Sequence, residues 1–130
     1  MIDILNAAAA ILSIVFGAFG MLAPRYTAGV LDLKTGDTTM GLSEIRASVG
    51  CMFVAMGVAC LWLGEPWAYF MLGIVYVGAS VGRGLSLMLD NPPFPKAHLY
   101  FLFEVVFAAW LVIRANGNVS VSASSAKSTR

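Results

Sequence analysis

Residues 66–89 read PWAYFMLGIVYVGASVGRGLSLML. One charge, Arg83, interrupts a run of apolar and small residues. About 20 such residues suffice for a helix to cross a bilayer. Pro66 suits the first helical position, where its missing N–H costs nothing. Gly64-Glu65-Pro66 punctuates the chain before this stretch, and Asp90-Asn91-Pro92-Pro93-Phe94-Pro95 forms a stiff proline-rich turn after it.

Three more stretches of spanning length lie outward from it. One runs from about Leu42 to Leu63, and one from about Ala97 to Ile113, closed by Arg114. The first runs from about Ile2 to Leu22 and is stopped by Pro24-Arg25. The expected fold is therefore all-α: a transmembrane four-helix bundle with antiparallel neighbours over residues 1–114, with spans at about 2–22, 42–63, 66–89 and 97–113. Residues 115–130 are Ser-, Ala- and Asn-rich and predict a polar, disordered tail. The connection from Ala23 to Gly41 reads as a loop, with Val30-Leu31-Asp32-Leu33 able to lie on the interface.

Composition agrees. The chain of 130 residues is 59% hydrophobic and 12% charged, with mean hydropathy +0.83. Soluble domains are closer to about 45–50% apolar and about 25% charged. A disordered chain and an ordinary soluble enzyme are excluded. Eight Lys/Arg against seven Asp/Glu leave a net charge of +1 and no basic stripe, which excludes nucleic acid as a partner. Cys51 and Cys60, nine positions apart, fall on opposite faces of one helix and read as small packing residues rather than a redox pair.

With four spans, both termini share one side of the membrane. Trp62, Trp67 and Trp110 all fall near that side, as an interfacial aromatic belt requires. Lys/Arg counts on the two sides nearly tie. The basic tail, and the lack of a basic stretch ahead of the first span, favour termini in the cytoplasm.

Small residues mark the faces on which helices meet in lipid, where close contact replaces hydrophobic exclusion. The predicted stripes are Ala10, Ser13, Gly17 and Gly20 in the first span, and Ala47, Cys51, Ala55 and Ala59 in the second. In the third they are Gly73, Ser80 and Gly84, with Gly78-x-x-x-Gly82 beside them.

The charges inside the spans are the functional candidates. Glu44 and Arg46 open the second span, Arg83 and Asp90 close the third, and Glu104 lies about 10 Å inside the fourth. All fall in the half of the membrane opposite the termini. Arg83, Ser86 and Asp90 share a helix face at i, i+3 and i+7. A central Arg costs roughly 2.5–3.5 kcal/mol on insertion, and each Leu, Ile, Phe or Val returns about 0.3–0.6 kcal/mol. Each span can absorb one such residue, but an unpaired Arg83 beside an unpaired Glu104 is uneconomical. The expected solution is a cluster of Glu44, Arg46, Arg83, Ser86, Asp90 and Glu104, with both arginines facing Glu104 and either Glu44 or Asp90. It serves as a register-fixing ion-pair network, or as a polar pocket with the first loop as a lid.

The segment Glu44-Ile45-Arg46-Ala47-Ser48-Val49-Gly50, followed by Gly82-Arg83-Gly84-Leu85-Ser86-Leu87-Met88-Leu89-Asp90 and by Glu104, resembles a bacterial four-helix membrane family. That family is catalogued only as a domain of unknown function, the 4345 family. The resemblance covers about Ile11 to Ile113. The chain has Val49-Gly50 where two glycines are expected, and Asn91 where a glycine is commoner. The resemblance implies the architecture and the importance of the charged cluster, and no activity.

The function read from the residues is a small membrane protein that binds or transports a small polar molecule or lipid headgroup. The alternative is a structural or accessory subunit that packs its small-residue faces against a larger membrane complex. Membrane lipids are the implied partners, with a second copy of the chain or another membrane protein on those faces. An enzyme using Glu104 or Asp90 for acid–base work is the least supported class, since no catalytic spacing stands out. No cofactor or metal is expected. His98, at the start of the fourth span, has no second His or Cys near it in sequence and reads as interfacial.

Overall fold

The structure, a computed structural model, describes residues 3–128, so Ile2, where the first span was expected to begin, and Arg130, at the end of the expected tail, lie outside the described residues. The fold is all-α, with no strand among the described residues. Four helices are long and apolar enough to cross a membrane: Ile4–Leu22, Met40–Leu63, Pro66–Leu89 and Lys96–Gly117. The chain divides between Leu63 and Gly64 into two compact units, each built on one helical pair.

In the first unit α1 spans Ile4–Leu22. Asp3 caps it, its carboxylate accepting the Leu5 N–H at 3.0 Å. Pro24 disfavours helical backbone at Ala23, which lies at φ −128° and ψ 60°, and α1 ends there. The chain does not continue as loop. Pro24 opens a second short helix, α2, over Pro24–Val30. This helix ends in a Schellman turn, with Leu33 N–H donating to Ala28 carbonyl and Asp32 to Gly29 carbonyl, Asp32 being left-handed at φ 56°.

The second span is one continuous helix with a change of pitch. It begins as α3 (Met40–Glu44), widens into a π-helical segment over Ile45–Cys51, and returns to α-helix as α4 (Met52–Leu63). Met52 N–H donates to Ala47 carbonyl, five residues back, in the π pattern. α1 packs antiparallel on this span. A Cβ on Gly57 would fall 2.7 Å from the Ala10 carbonyl oxygen, and one on Gly17 would fall 2.8 Å from the Gly50 carbonyl oxygen. The expected stripe on α1 is the packed face: Ala10, Ser13, Gly17 and Gly20 are all buried. The stripe expected on the second span is not. Ala47, Cys51 and Ala55 are exposed and Ala59 half-buried, while Ile45, Gly50, Gly57 and Cys60 are buried. The face that meets α1 is carried by Gly50, Gly57 and Cys60, and Ala55 and Ala59, two positions either side of Gly57, point away from it.

In the second unit α5 (Pro66–Leu89) packs antiparallel on α6 (Lys96–Ser128). Gly64, at φ 64°, makes the turn that leads into Pro66. Gly73 meets Leu111 and Val112, and Tyr76 meets Phe107 with ring centroids 5.2 Å apart. Gly73 and Ser80 are buried as expected and Gly84 is half-buried. Gly78 and Gly82 face open space. α6 runs on to Ser128, in place of the disordered tail expected after Arg114. Ala and Ser carry the helix past the apolar run, and the Ser120 hydroxyl donates to the Gly117 carbonyl at 2.9 Å.

Lipid accounts for the outer faces. Ile11, Phe16 and Phe19 on α1, Val58 and Trp62 on α4, Ile74 and Val81 on α5, and Leu102 and Val106 on α6 are all exposed. The buried hydroxyls of Ser13 and Ser80 donate to the carbonyls four residues back, Ala9 at 2.9 Å and Tyr76 at 2.8 Å, so neither is left unpaired in an apolar setting.

Candidate functional site

The in-span charges divide between the two units. Glu44 and Arg46 belong to the first, and Arg83, Ser86, Asp90 and Glu104 to the second.

In the second unit, antiparallel packing sets Arg83 of α5 opposite Glu104 of α6. The pairing is two-pronged. Arg83 Nε donates to Glu104 Oε2 at 2.8 Å and Nη2 to Oε1 at 2.7 Å. Two parallel charge-assisted bonds fix the plane of the guanidinium as well as its position. Tyr100, one turn before Glu104 on α6, lies beneath the guanidinium, with Arg83 Cζ 5.4 Å from the ring centroid. The Arg83 side chain is 32% exposed and that of Glu104 13%, so the pair sits at the edge of the helical contact. A Cβ on neighbouring Gly84 would meet the Phe101 ring at 3.4 Å, so the glycine admits that ring beside the pair. Ser86 is half-buried and Asp90 exposed at the end of α5, and no side-chain hydrogen bond joins either to the pair among the described residues. The expected pairing of Arg83 with Glu104 is present; participation of Ser86 and Asp90 is not seen.

In the first unit, Arg46 stands on the π-helical segment and is exposed. Its Nη1 donates to the carbonyl of Met21, in the last turn of α1. That carbonyl is among those a helix end leaves without an intrahelical partner, and a guanidinium there also meets the negative end of the helix dipole. Arg46 therefore secures the end of α1, where a carboxylate had been expected to face it. Glu44, one residue before the π segment, is exposed.

Beside Arg46 lies an open pocket of about 590 Å³. It is lined by Leu22, Ala23, Pro24, Arg25 and Tyr26 from the end of α1 and the start of α2, and by Thr39, Leu42, Ser43 and Arg46 from the second span. Arg25, Tyr26, Thr39 and Ser43 were not among the expected site residues. A signal for the last two was available: positions 39, 42, 43 and 46 follow i, i+3, i+4 and i+7 and share one helix face. The Thr39 side chain does not cap α3, although Thr39 holds the capping position. Two guanidinium groups and three hydroxyls thus line one concavity, and no carboxylate is among its lining residues. Such a wall offers donors to an anion. Among the described residues, no group of three His, Cys, Asp or Glu is placed to hold a metal ion.

The model of one protein family matches residues 1–114 of the chain, and its description is Domain of unknown function (DUF4345). No curated protein matches the chain, and no solved structure matches it.

Proposed function

The chain belongs to the DUF4345 family, and from that premise we propose that this integral membrane protein binds a small polar molecule or lipid headgroup where its first two spans end. The observation that carries the reading is the pocket beside Arg46: open, of ligand-sized volume, and lined by two arginines and three hydroxyl-bearing residues among the apolar Leu22, Ala23, Pro24 and Leu42. The Arg83–Glu104 pair has the other role weighed for the in-span charges, since each charge satisfies the other and fixes the register of α5 on α6. In this reading the membrane is the bacterial inner membrane, and the pocket lies on the side opposite the termini.

Native mass spectrometry of protein extracted with its own lipids tests the binding. The wild type should retain a bound mass that Arg46→Ala loses. Equal retention by both would remove the pocket from the account. Topology has its own test. In a Cys51→Ala/Cys60→Ala background, cysteines introduced at Thr35 and at Ser120 should label from opposite sides. Labelling of both from one side would overturn the four-span arrangement.

A second reading, an accessory subunit in a larger membrane complex, draws on Gly78 and Gly82. Both face open space on α5, at the spacing by which helices approach closely in lipid.

A further inference from the structure

The pocket beside Arg46 carries positive charge with no carboxylate in its lining. Arg25 and Arg46 both line it, both are exposed, and among the described residues neither has a carboxylate partner. Two guanidinium groups thus line one concavity whose lining holds no negative charge. Arg46 spends one donor on the Met21 carbonyl, which anchors the group and leaves its other N–H bonds available. Thr39 and Ser43 add hydroxyl donors from the second span.

We infer that this pocket binds a phosphate group, held between the guanidinium groups of Arg25 and Arg46; the inference rests on the reading above and deepens it. The planar fork of Arg matches tetrahedral phosphate through paired N–H bonds, which a carboxylate-free wall leaves unopposed. A neutral polar ligand would leave both positive charges without a counter-charge in the pocket. The location adds to the argument. The pocket lies at the ends of the first two spans, the level at which lipid phosphates stand. Leu22 and Tyr26, both strongly exposed, also line it and offer apolar surface to an acyl chain. The phosphate can come from a phospholipid headgroup or from a free phosphorylated molecule, and one experiment separates these.

The full chain, purified in dodecyl maltoside, is treated with phenylglyoxal, and modification of each arginine is read by mass spectrometry. The probes are dioctanoyl-phosphatidylglycerol, inorganic phosphate and uncharged dioctanoylglycerol. Phosphatidylglycerol at about ten times its Kd should slow modification of Arg25 and Arg46 about tenfold, with Arg114 unaffected. Equal protection by inorganic phosphate supports the site and assigns it to free phosphate; protection by the lipid alone assigns it to a headgroup. Arg25→Gln, a change at an exposed residue, should remove most of the protection at Arg46. Unchanged protection there would overturn the two-arginine site. Protection by dioctanoylglycerol as strong as by phosphatidylglycerol would overturn the phosphate assignment and keep a ligand pocket. No protection by any probe would overturn both.

Discussion

Where α1 crosses the second span, backbone lies against backbone, and Gly17, Gly20 and Gly50 leave no room for a single Cβ. Where α5 crosses α6, the space is filled by side chains: Tyr76 against Phe107, Phe107 against Phe103 at 4.3 Å, and Arg83 clamped on Glu104. The two pairs have similar length and hydropathy, yet one is held by closeness and the other by specific partners. The difference follows from lipid as a solvent. Burial of apolar side chains gains little between helices already surrounded by hydrocarbon, so association needs either dispersion at short range or polar bonds with nowhere else to go. It also sets what each pair tolerates. The first should fail on added volume, and the second on lost charge.

The largest effect should come from filling the first contact. A Cβ on Gly50 would lie 2.5 Å from Met21 N and 2.8 Å from Gly20 C, both backbone atoms that cannot rotate away. Gly50→Val should cost about 3 kcal/mol or more, at or beyond the usual range for overpacking, in reversible denaturation from mixed micelles. A wild-type midpoint would show that the helices are not in backbone contact.

Next is the loss of charge in the second contact. Removing one partner of a buried pair costs about 3–5 kcal/mol; because Arg83 is 32% exposed, about 2–3 kcal/mol is the appropriate figure for Glu104→Ala. The same denaturation series measures it, and Arg83→Met/Glu104→Leu should cost less than Glu104→Ala because no charge is stranded.

Smaller again is the glycine at the tightest approach in the second pair. A Cβ on Gly73 would meet Leu111 Cβ at 2.9 Å and Val112 Cγ2 at 3.0 Å, side chains that can yield in part. Gly73→Ala should cost about 1–2 kcal/mol. At Gly78 nothing lies within reach, and Gly78→Ala should be neutral or gain up to about 1 kcal/mol from helix propensity. A clear loss at Gly78 in a purified oligomer, absent from the monomer, would sharpen the comparison by assigning that face to a second copy of the chain.

The sequence made these spans legible because each is a long apolar run closed by proline, glycine or charge, and such signals are local. The α1 stripe was legible for the same reason, since Ala10, Ser13, Gly17 and Gly20 keep helical spacing throughout. The Arg83–Glu104 pair followed from cost, as two opposite charges at one depth favour each other. The π-helical segment left no local mark in Ile45–Cys51. The Ala47, Cys51, Ala55 and Ala59 stripe misled because small residues line more than one side of the second span, and the side that meets α1 carries Gly50, Gly57 and Cys60. A polar pocket at Arg46 was expected, but its other lining residues were missed because they depend on α2, a helix of seven residues that read as loop, and on a face shared by Thr39, Ser43 and Arg46 whose partner wall lies more than a dozen residues earlier. α6 outlasted its apolar run because Ser and Ala permit a helix that hydropathy alone does not announce.

That the Arg83–Glu104 clamp holds α5 to α6 is the claim most open to direct measurement. A double-mutant cycle on Arg83→Met and Glu104→Leu, read by reversible unfolding in mixed micelles, isolates the interaction from the change in side-chain volume. The two-pronged geometry predicts a coupling energy of about 1–2 kcal/mol, with the double variant more stable than the sum of the singles implies. Single losses that add to the double within about 0.3 kcal/mol would mean that the two side chains act independently, and would contradict the clamp.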